Sequence, residues 1–428
     1  MRALWLVPAT IALGALCSRF IFPLLHKPDA VLTQPLPVVT GWGTNGIEAW
    51  LLYALTMAMA GVTYVRAVVV ARTKPPSKSA IIAAVLLSML AAFAFRFMFS
   101  SDVYAYAAYG ALAATHQNPY LHRLFPPAQL VDAHWTAAIG YEWPSLPACI
   151  YGPAFVLFSQ AVVVATHFDL AHALFVLRVV EIAAFATALA LAPNPLLAVV
   201  VGLNPVVIST VAEGHNDALI LLASVLAFVL ARRSQAWGGA LAGMSMLLKA
   251  TGGVVACALA YAVGDRRFTW AALAGIAVAA TVQLAAIRSW GGHLPLAATD
   301  FVGTPQAAIA IALRGLLALA LVGCTIYHAG RGARARALAT AALAMWALYP
   351  NDYPWYGMWL CVIAAFTLDA PEGAVLIALS FTSILRYLSD VYGYAPAAPW
   401  LEVAAVAIPL ALYAKGSAPS GSRRRTNT

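Results

Sequence analysis

Acidic side chains are scarce in this sequence, 16 Asp and Glu in 428 residues, so each is a candidate for chemistry. Asp102 stands alone in Ser101-Asp102-Val103-Tyr104-Ala105-Tyr106. It either caps a helix opening at Val103, accepting from free N–H groups, or is available to take a proton. A second cluster reads Glu213-Gly214-His215-Asn216-Asp217. Asp217 could merely cap the next helix. His215 and Asn216 beside a helix N-terminus, which attracts anions, favour a phosphate or sugar site. Lys249 lies inside an apolar run, in Leu247-Leu248-Lys249-Ala250-Thr251-Gly252. A cation there either donates to carbonyls freed by a helix break or faces an anionic ligand. Arg178 and Glu181 are three apart on one expected helix and are expected to neutralise each other. Arg96, Arg288 and Arg386 close apolar runs, where a guanidinium suits an anionic ligand or a headgroup. Asn351-Asp352-Tyr353-Pro354-Trp355-Tyr356 is a turn dense in aromatics; its Tyr353, Trp355 and Tyr356 suit stacking on a sugar ring.

The elements that must position these residues follow from composition. Hydrophobic residues make up 63% and charged residues only 10%, where a soluble domain carries roughly a quarter charged. The bilayer must therefore be the solvent, and an all-α polytopic membrane protein is expected, since closed backbone hydrogen bonding is required there. The formal charge of +9 resides in short turns between apolar runs, which reports topology and excludes a nucleic-acid face. Five widely spaced cysteines make neither a disulfide framework nor a zinc site. The sequence Gly41-Trp42-Gly43-Thr44-Asn45-Gly46 has no strand before it and is not read as a dinucleotide fingerprint.

Twelve full spans are expected, at about 3–25, 47–71, 79–99, 149–167, 172–192, 217–231, 269–287, 306–329, 337–350, 354–369, 373–388 and 397–414. The first is read as a retained helix. Two further apolar stretches, 195–213 and 238–263, are expected to be broken or re-entrant. The turns Arg232-Arg233 and Arg266-Arg267 both read as cytoplasmic, yet one apolar stretch separates them, so that stretch crosses an even number of times. Each stretch carries an interruption: Asn204-Pro205 in one, Lys249 with Gly252-Gly253 in the other. Irregular backbone at membrane depth belongs beside protein or a wet cavity, so the breaks point at a site. Residues 1–415 are expected to form one transmembrane catalytic domain, with a long extracytoplasmic loop over 100–148 carrying interfacial helices. Residues 416–428 form a polar cytoplasmic tail, and the N-terminus is also placed in the cytoplasm of a plasma-membrane protein.

The chain resembles the GT-C superfamily of polyprenyl-phosphate-sugar-dependent glycosyltransferases, most closely the actinobacterial polyprenyl-phosphate-mannose-dependent α-mannosyltransferases. Four ordered matches carry the resemblance: Asp102-Val103-Tyr104 followed by Gly110 and Asn118-Pro119-Tyr120; Tyr151-Gly152-Pro153; Leu203-Asn204-Pro205 leading to Gly214-His215-Asn216-Asp217; and Tyr353-Pro354-Trp355-Tyr356. The Leu247-Leu248-Lys249 break occupies the place of a similar lysine. The resemblance implies a GT-C-like bundle that transfers a hexose, most simply mannose, from a polyprenyl-phosphate donor to a glycan or glycolipid acceptor outside the cytoplasm. It implies Asp102 as general base. Lys249, His215 and Arg386 would face the donor phosphate, and Tyr104, Asn216, Asp217, Tyr353, Trp355 and Tyr356 the sugars. Many superfamily members carry paired acids in the first catalytic loop. Only Asp102 stands here, which argues against a metal-dependent form. No cofactor is implied, since the lipid-linked sugar is a substrate, and participation of a divalent cation stays open. A lipid-linked sugar flippase or secondary transporter is the competing class, because broken helices serve translocation too.

Overall fold

A computed structural model describes residues 2–21, 38–39, 46–100, 102–120, 148–289, 305–348, 353–387 and 403–411. The chain forms two compact units, Met1–Asp300 and Phe301–Thr428. Each is described by itself.

The first unit is a helical bundle. Its helices are α1 (Arg2–Leu16), α2 (Gly46–Thr73), α3 (Lys78–Phe93), α4 (Asp102–Ala114), α5 (Pro153–Ala165), α6 (Leu170–Leu191), α7 (Pro195–Gly202) and α8 (Pro205–Glu213). They continue with α9 (Asp217–Ala231), α10 (Gln235–Met244), α11 (Thr251–Val263) and α12 (Arg266–Ser289). A π-helical turn, Cys17–Ile21, extends α1. Among the described residues of the whole chain, five helices are long and apolar enough to cross a membrane, and the bent pair α7 and α8 makes a sixth if counted as one span. An all-α membrane protein is the result. Exposed Leu, Val and Phe side chains along α1, α2 and α6 fit a lipid-facing surface.

Both expected breaks are present. The axes of α7 and α8 diverge by 71°. The cause is local: Pro205 opens α8, and the buried Asn204 side chain accepts from the N–H groups of Val206 and Val207 at 3.0 and 3.2 Å. Gly214 then stops α8 in the left-handed region, φ 98°, which costs a glycine little. The second break lies slightly earlier than expected. It runs through the 3₁₀ turn Ser245–Leu247 to Ala250, while Gly252 and Gly253 lie inside α11. There the chain forms an isolated antiparallel bridge between Lys249 and Tyr151, and Gly152 N–H donates to the Leu248 carbonyl at 3.0 Å.

Gly152 permits that approach, because a Cβ at this position would overlap the Leu247 backbone carbonyl. Overpacking of this kind costs about 1–3 kcal/mol, and here it would push Tyr151 and Lys249 apart. Gly152→Ala is expected to lower the unfolding midpoint in detergent and to reduce activity. An unchanged midpoint would show that the bridge is not needed.

The segment expected to hold interfacial helices contains α4, which differs from that expectation. Every residue from Val103 to Ala113 is buried, against α5 and α6. Its Tyr and Ala residues leave no polar face, and a helix apolar all round is buried in protein. Residues 121–147 of the same loop lie outside the described residues.

The second unit contains α13 (Pro305–Gly330), α14 (Arg334–Leu348), α15 (Gly357–Ala364) and α16 (Pro371–Thr382). Arg314 donates to the carbonyls of Ala347 and Trp346 at 2.9 and 3.1 Å, matching a cation to the negative end of α14. Arg336 pairs with buried Glu372 at 2.6 Å. Of the expected span 397–414, residues 403–411 are described and helical.

Candidate active site

Four pieces of the first unit meet around Asp102: the start of α4, the strand-like residue Tyr151 before α5, the turn between α8 and α9, and the break before α11. Asp102 opens α4, and its own N–H donates to Ser100 Oγ at 3.3 Å. Its carboxylate keeps 20% of its surface exposed and lies 3.5 Å from buried His215 Nδ1. Tyr151 Oη donates to the same Oδ2 at 3.4 Å. Burial pushes the Asp102 carboxyl up, but the His215 contact, the nearby Lys249 charge and the Tyr151 hydroxyl outweigh it and hold it below its usual 3.8. The carboxylate is thus ionised at neutral pH and partly open, as proton acceptance requires.

Behind this carboxylate the polar groups are closed off. Lys249 Nζ lies 2.8 Å from Asp217 Oδ2, with only 5% and 2% of the two side chains exposed. The ammonium also lies 5.7 Å from the centre of the Tyr151 ring. Tyr106 donates to Asn216 Oδ1 at 3.4 Å and packs edge-on against Tyr151 and Phe155, at 4.9 and 4.8 Å between ring centres. Asn216 Nδ2 makes no hydrogen bond among the described residues. Glu213 accepts from Phe99 N–H at 3.3 Å and approaches His215 Nε2 to 3.9 Å. The motif Asn118-Pro119-Tyr120 supports Tyr151 from below: Asn118 Oδ1 accepts from Tyr120 N–H at 2.8 Å, and Tyr120 Oη donates to the Tyr151 carbonyl at 3.2 Å.

Of the residues singled out from sequence, Asp102, His215, Asn216, Asp217 and Lys249 converge. The helix N-terminus at Asp217 holds the protein's own carboxylate, already matched by Lys249. Tyr104 is buried on another side of α4, within electrostatic reach of Arg96 and Arg178; its neighbour Tyr106 faces the cluster instead. Tyr106 and Tyr151 were legible as motif members but carried no assigned role. Helical spacing could have separated Tyr104 from Tyr106, since two residues are about 200° apart on a helix.

The expected pairing of Arg178 with Glu181 does not form. Arg178 Nε donates to the Ala212 carbonyl at 2.7 Å, Nη2 to the Phe93 carbonyl at 3.2 Å, and the guanidinium lies 3.9 Å from the Phe93 ring centre. Carbonyls at the ends of α3 and α8 compete successfully for the fork, which offers five donors. Glu181, 1% exposed, is instead in electrostatic reach of Asp217 and Lys249.

In the second unit Arg386 Nη2 donates to Tyr353 Oη at 3.1 Å, and Tyr353 stacks on Trp355 at 4.2 Å with 7° between planes. Tyr356 lies tilted against Trp355 at 5.8 Å. Asn351 and Asp352 of that turn lie outside the described residues.

His215 offers a direct test of the electrostatics. The lowered carboxyl is a property of the folded site, so base function is present above that value and is lost as pH falls through it. His215→Gln removes the largest offset to burial, and the acid limb of kcat/KM is expected to move to higher pH. An acid limb unchanged from the parent would mean that His215 does not tune Asp102.

A family model described as alpha-(1->6)-mannopyranosyltransferase, N-terminal domain, matches residues 6–265. No curated protein and no solved structure matches the chain. The matched stretch lies within the first unit and contains Asp102, Tyr151, the residues of the α8 to α9 turn and Lys249.

Proposed function

The chain belongs to the alpha-(1->6)-mannopyranosyltransferase family, and from that premise we propose that it transfers mannose from a polyprenyl-phosphate donor to a hydroxyl of a glycan or glycolipid, with inversion, on the extracytoplasmic face. The observation that carries this reading is a single partly exposed, ionised carboxylate, Asp102, held by His215 and Tyr151 in front of a closed polar cluster.

The chemistry asks for little more. A lipid phosphate leaves as a monoester whose second pKa is about 6, so its departure needs no general acid. Asp102 takes the proton of the acceptor hydroxyl as that oxygen attacks the anomeric carbon from the face opposite the phosphate. One displacement turns a β-linked donor into an α-linked product. Lys249, matched by Asp217, keeps Tyr151 and the turn before α9 in register. Taken by itself, the second unit presents the stacked Tyr353 and Trp355, ordered by Arg386, as an apolar face suited to stacking on a sugar ring.

The sidedness is supported by the basic turns. Helices that start at the Asp102 end, such as α9, run into Arg232-Arg233, and α3, which ends there, starts at Lys78 after Arg72 and Lys74. Basic turns tend to face the cytoplasm, which supports an extracytoplasmic Asp102.

Incubation of the purified protein with a panel of radiolabelled polyprenyl-phosphate sugars and a mannan acceptor is expected to give α-linked mannose transfer. Transfer from none of them would favour the carrier reading, for which the one supporting observation is Glu181, a buried carboxylate in the span Leu170–Leu191.

A further inference from the structure

We propose that Asp102 receives the acceptor's proton on Oδ1, and that Tyr151 is the positioning residue that reserves this oxygen by holding the other, an inference that rests on the transferase reading above. The two oxygens of a carboxylate are equivalent until their surroundings distinguish them. Here two groups address the same one: Tyr151 Oη lies 3.4 Å and His215 Nδ1 3.5 Å from Oδ2. A nitrogen facing a carboxylate in this way carries its proton, so both are donors. Oδ1 meets no donor among the described residues, and the side chain keeps 20% of its surface exposed. Hydrogen bonds to the charged form make an oxygen a weaker base, which leaves Oδ1 as the better proton acceptor.

A buried tyrosine hydroxyl commonly finds an acceptor merely to satisfy itself. Tyr151 is held too firmly for that to be the whole account. Its backbone forms the bridge to Lys249, its carbonyl accepts from Tyr120 Oη at 3.2 Å, and the next N–H, of Gly152, donates to the Leu248 carbonyl at 3.0 Å. Its ring packs edge-on against Tyr106 at 4.9 Å and lies 5.4 Å from Phe155 with 56° between planes. A phenol fixed on every side does not follow a carboxylate, so the partly exposed carboxylate settles on the phenol. The residue before α5 and the turn before α9 thus bring two donors to one oxygen of a residue on α4, and a turnover of the carboxylate that exchanged its oxygens would break both contacts. The charged groups nearest Asp102 are His215 and Lys249, the latter matched by Asp217.

In the reaction the acceptor O–H bond breaks and its proton goes to Oδ1, while the acceptor oxygen forms its bond to the anomeric carbon. The bond from that carbon to the phosphate oxygen breaks, and its electron pair leaves on the phosphate. Asp102 ends as the neutral acid, still accepting from Tyr151 through Oδ2, and the phosphate carries the added negative charge. Tyr151 neither gains nor loses a proton. Its contribution is to keep one oxygen in one place, which is where orientation assists a bimolecular step.

The test is Tyr151→Phe in the full chain, which keeps the ring and removes only the hydroxyl, so the unfolding midpoint in detergent should stay close to the parent's. Its kcat for labelled mannose transfer is expected to fall about 10–100-fold, the equivalent of one hydrogen bond to a charged group, with KM for the donor unchanged. In an Asp102→Asn background the same substitution should cost less than about twofold more, since a residue that acts through Asp102 has nothing left to position. Parent-like kcat in the single variant, or losses that multiply in the double, would overturn the proposal. A second readout needs no turnover: infrared spectra of protein carrying isotope-labelled aspartate, taken as the difference from Asp102→Asn, follow the Asp102 carboxyl through its titration. The hydroxyl favours the charged form, so its loss is expected to move that titration to higher pH, toward the ordinary 3.8; an unmoved titration would also overturn the proposal. A chain that transfers no sugar yet shows the shift would sink the transferase reading and leave the hold of Tyr151 on Asp102 standing.

Discussion

Asp102→Asn is expected to lower transfer by about 10²–10⁴-fold, the usual contribution of a general base, while donor affinity stays close to that of the parent. The asparagine is isosteric and can still accept from Tyr151 Oη, so the local packing of α4 is kept. What it loses is the capacity to hold a proton. In the parent, burial of the carboxyl is outweighed by His215, Lys249 and Tyr151, which keep it ionised. The loss should therefore appear in kcat, measured as initial rates of labelled mannose transfer at saturating donor, with little change in KM. Parent-like turnover would remove Asp102 from the mechanism, and the carrier reading would then gain.

The second large effect concerns stability. Lys249 and Asp217 lie 2.8 Å apart and 32 residues apart in sequence, both almost wholly buried. Removing one partner leaves an uncompensated charge in a dry site, which costs about 3–5 kcal/mol. Lys249→Met and Asp217→Leu are each expected to lower the unfolding midpoint sharply in detergent. Lys249→Met combined with Asp217→Leu should recover most of that loss, because a buried pair replaced by apolar groups of similar volume is often neutral. A double variant no better than the sum of the singles would show that the two residues do not act as a pair. If stability recovers and transfer does not, the pair also positions Tyr151 and the turn before α9 for the reaction.

Much of this was legible without coordinates, and the reason is that the legible features are local. An apolar run long enough to span, a basic turn, or an Asn-Pro inside a run each carries its meaning within a few residues. The 71° bend at Asn204 and Pro205 and the irregular backbone at Lys249 were of this kind. The unusual isolation of Asp102 in its loop was too. Burial of α4 was less accessible, because residues of a 13-residue Tyr and Ala helix suit a membrane surface and a protein interior equally, and only the neighbouring helices decide between them.

Partner choice was the part the amino-acid order left undecided. Arg178 and Glu181 obey a spacing rule that holds on solvent-exposed helices. In the bundle, carbonyls released at the ends of α3 and α8 offer the guanidinium better-placed acceptors, and Glu181 is left in electrostatic reach of Asp217 and Lys249. Lys249 likewise has no acid near it in sequence. By itself the sequence determined the solvent of this protein, where its spans fail and which few charged residues had to be explained, since transfer energies and turn signals act over short stretches. Only the tertiary structure decided which cation meets which acid, because each buried charge is stabilised by whichever groups the packed helices bring within reach.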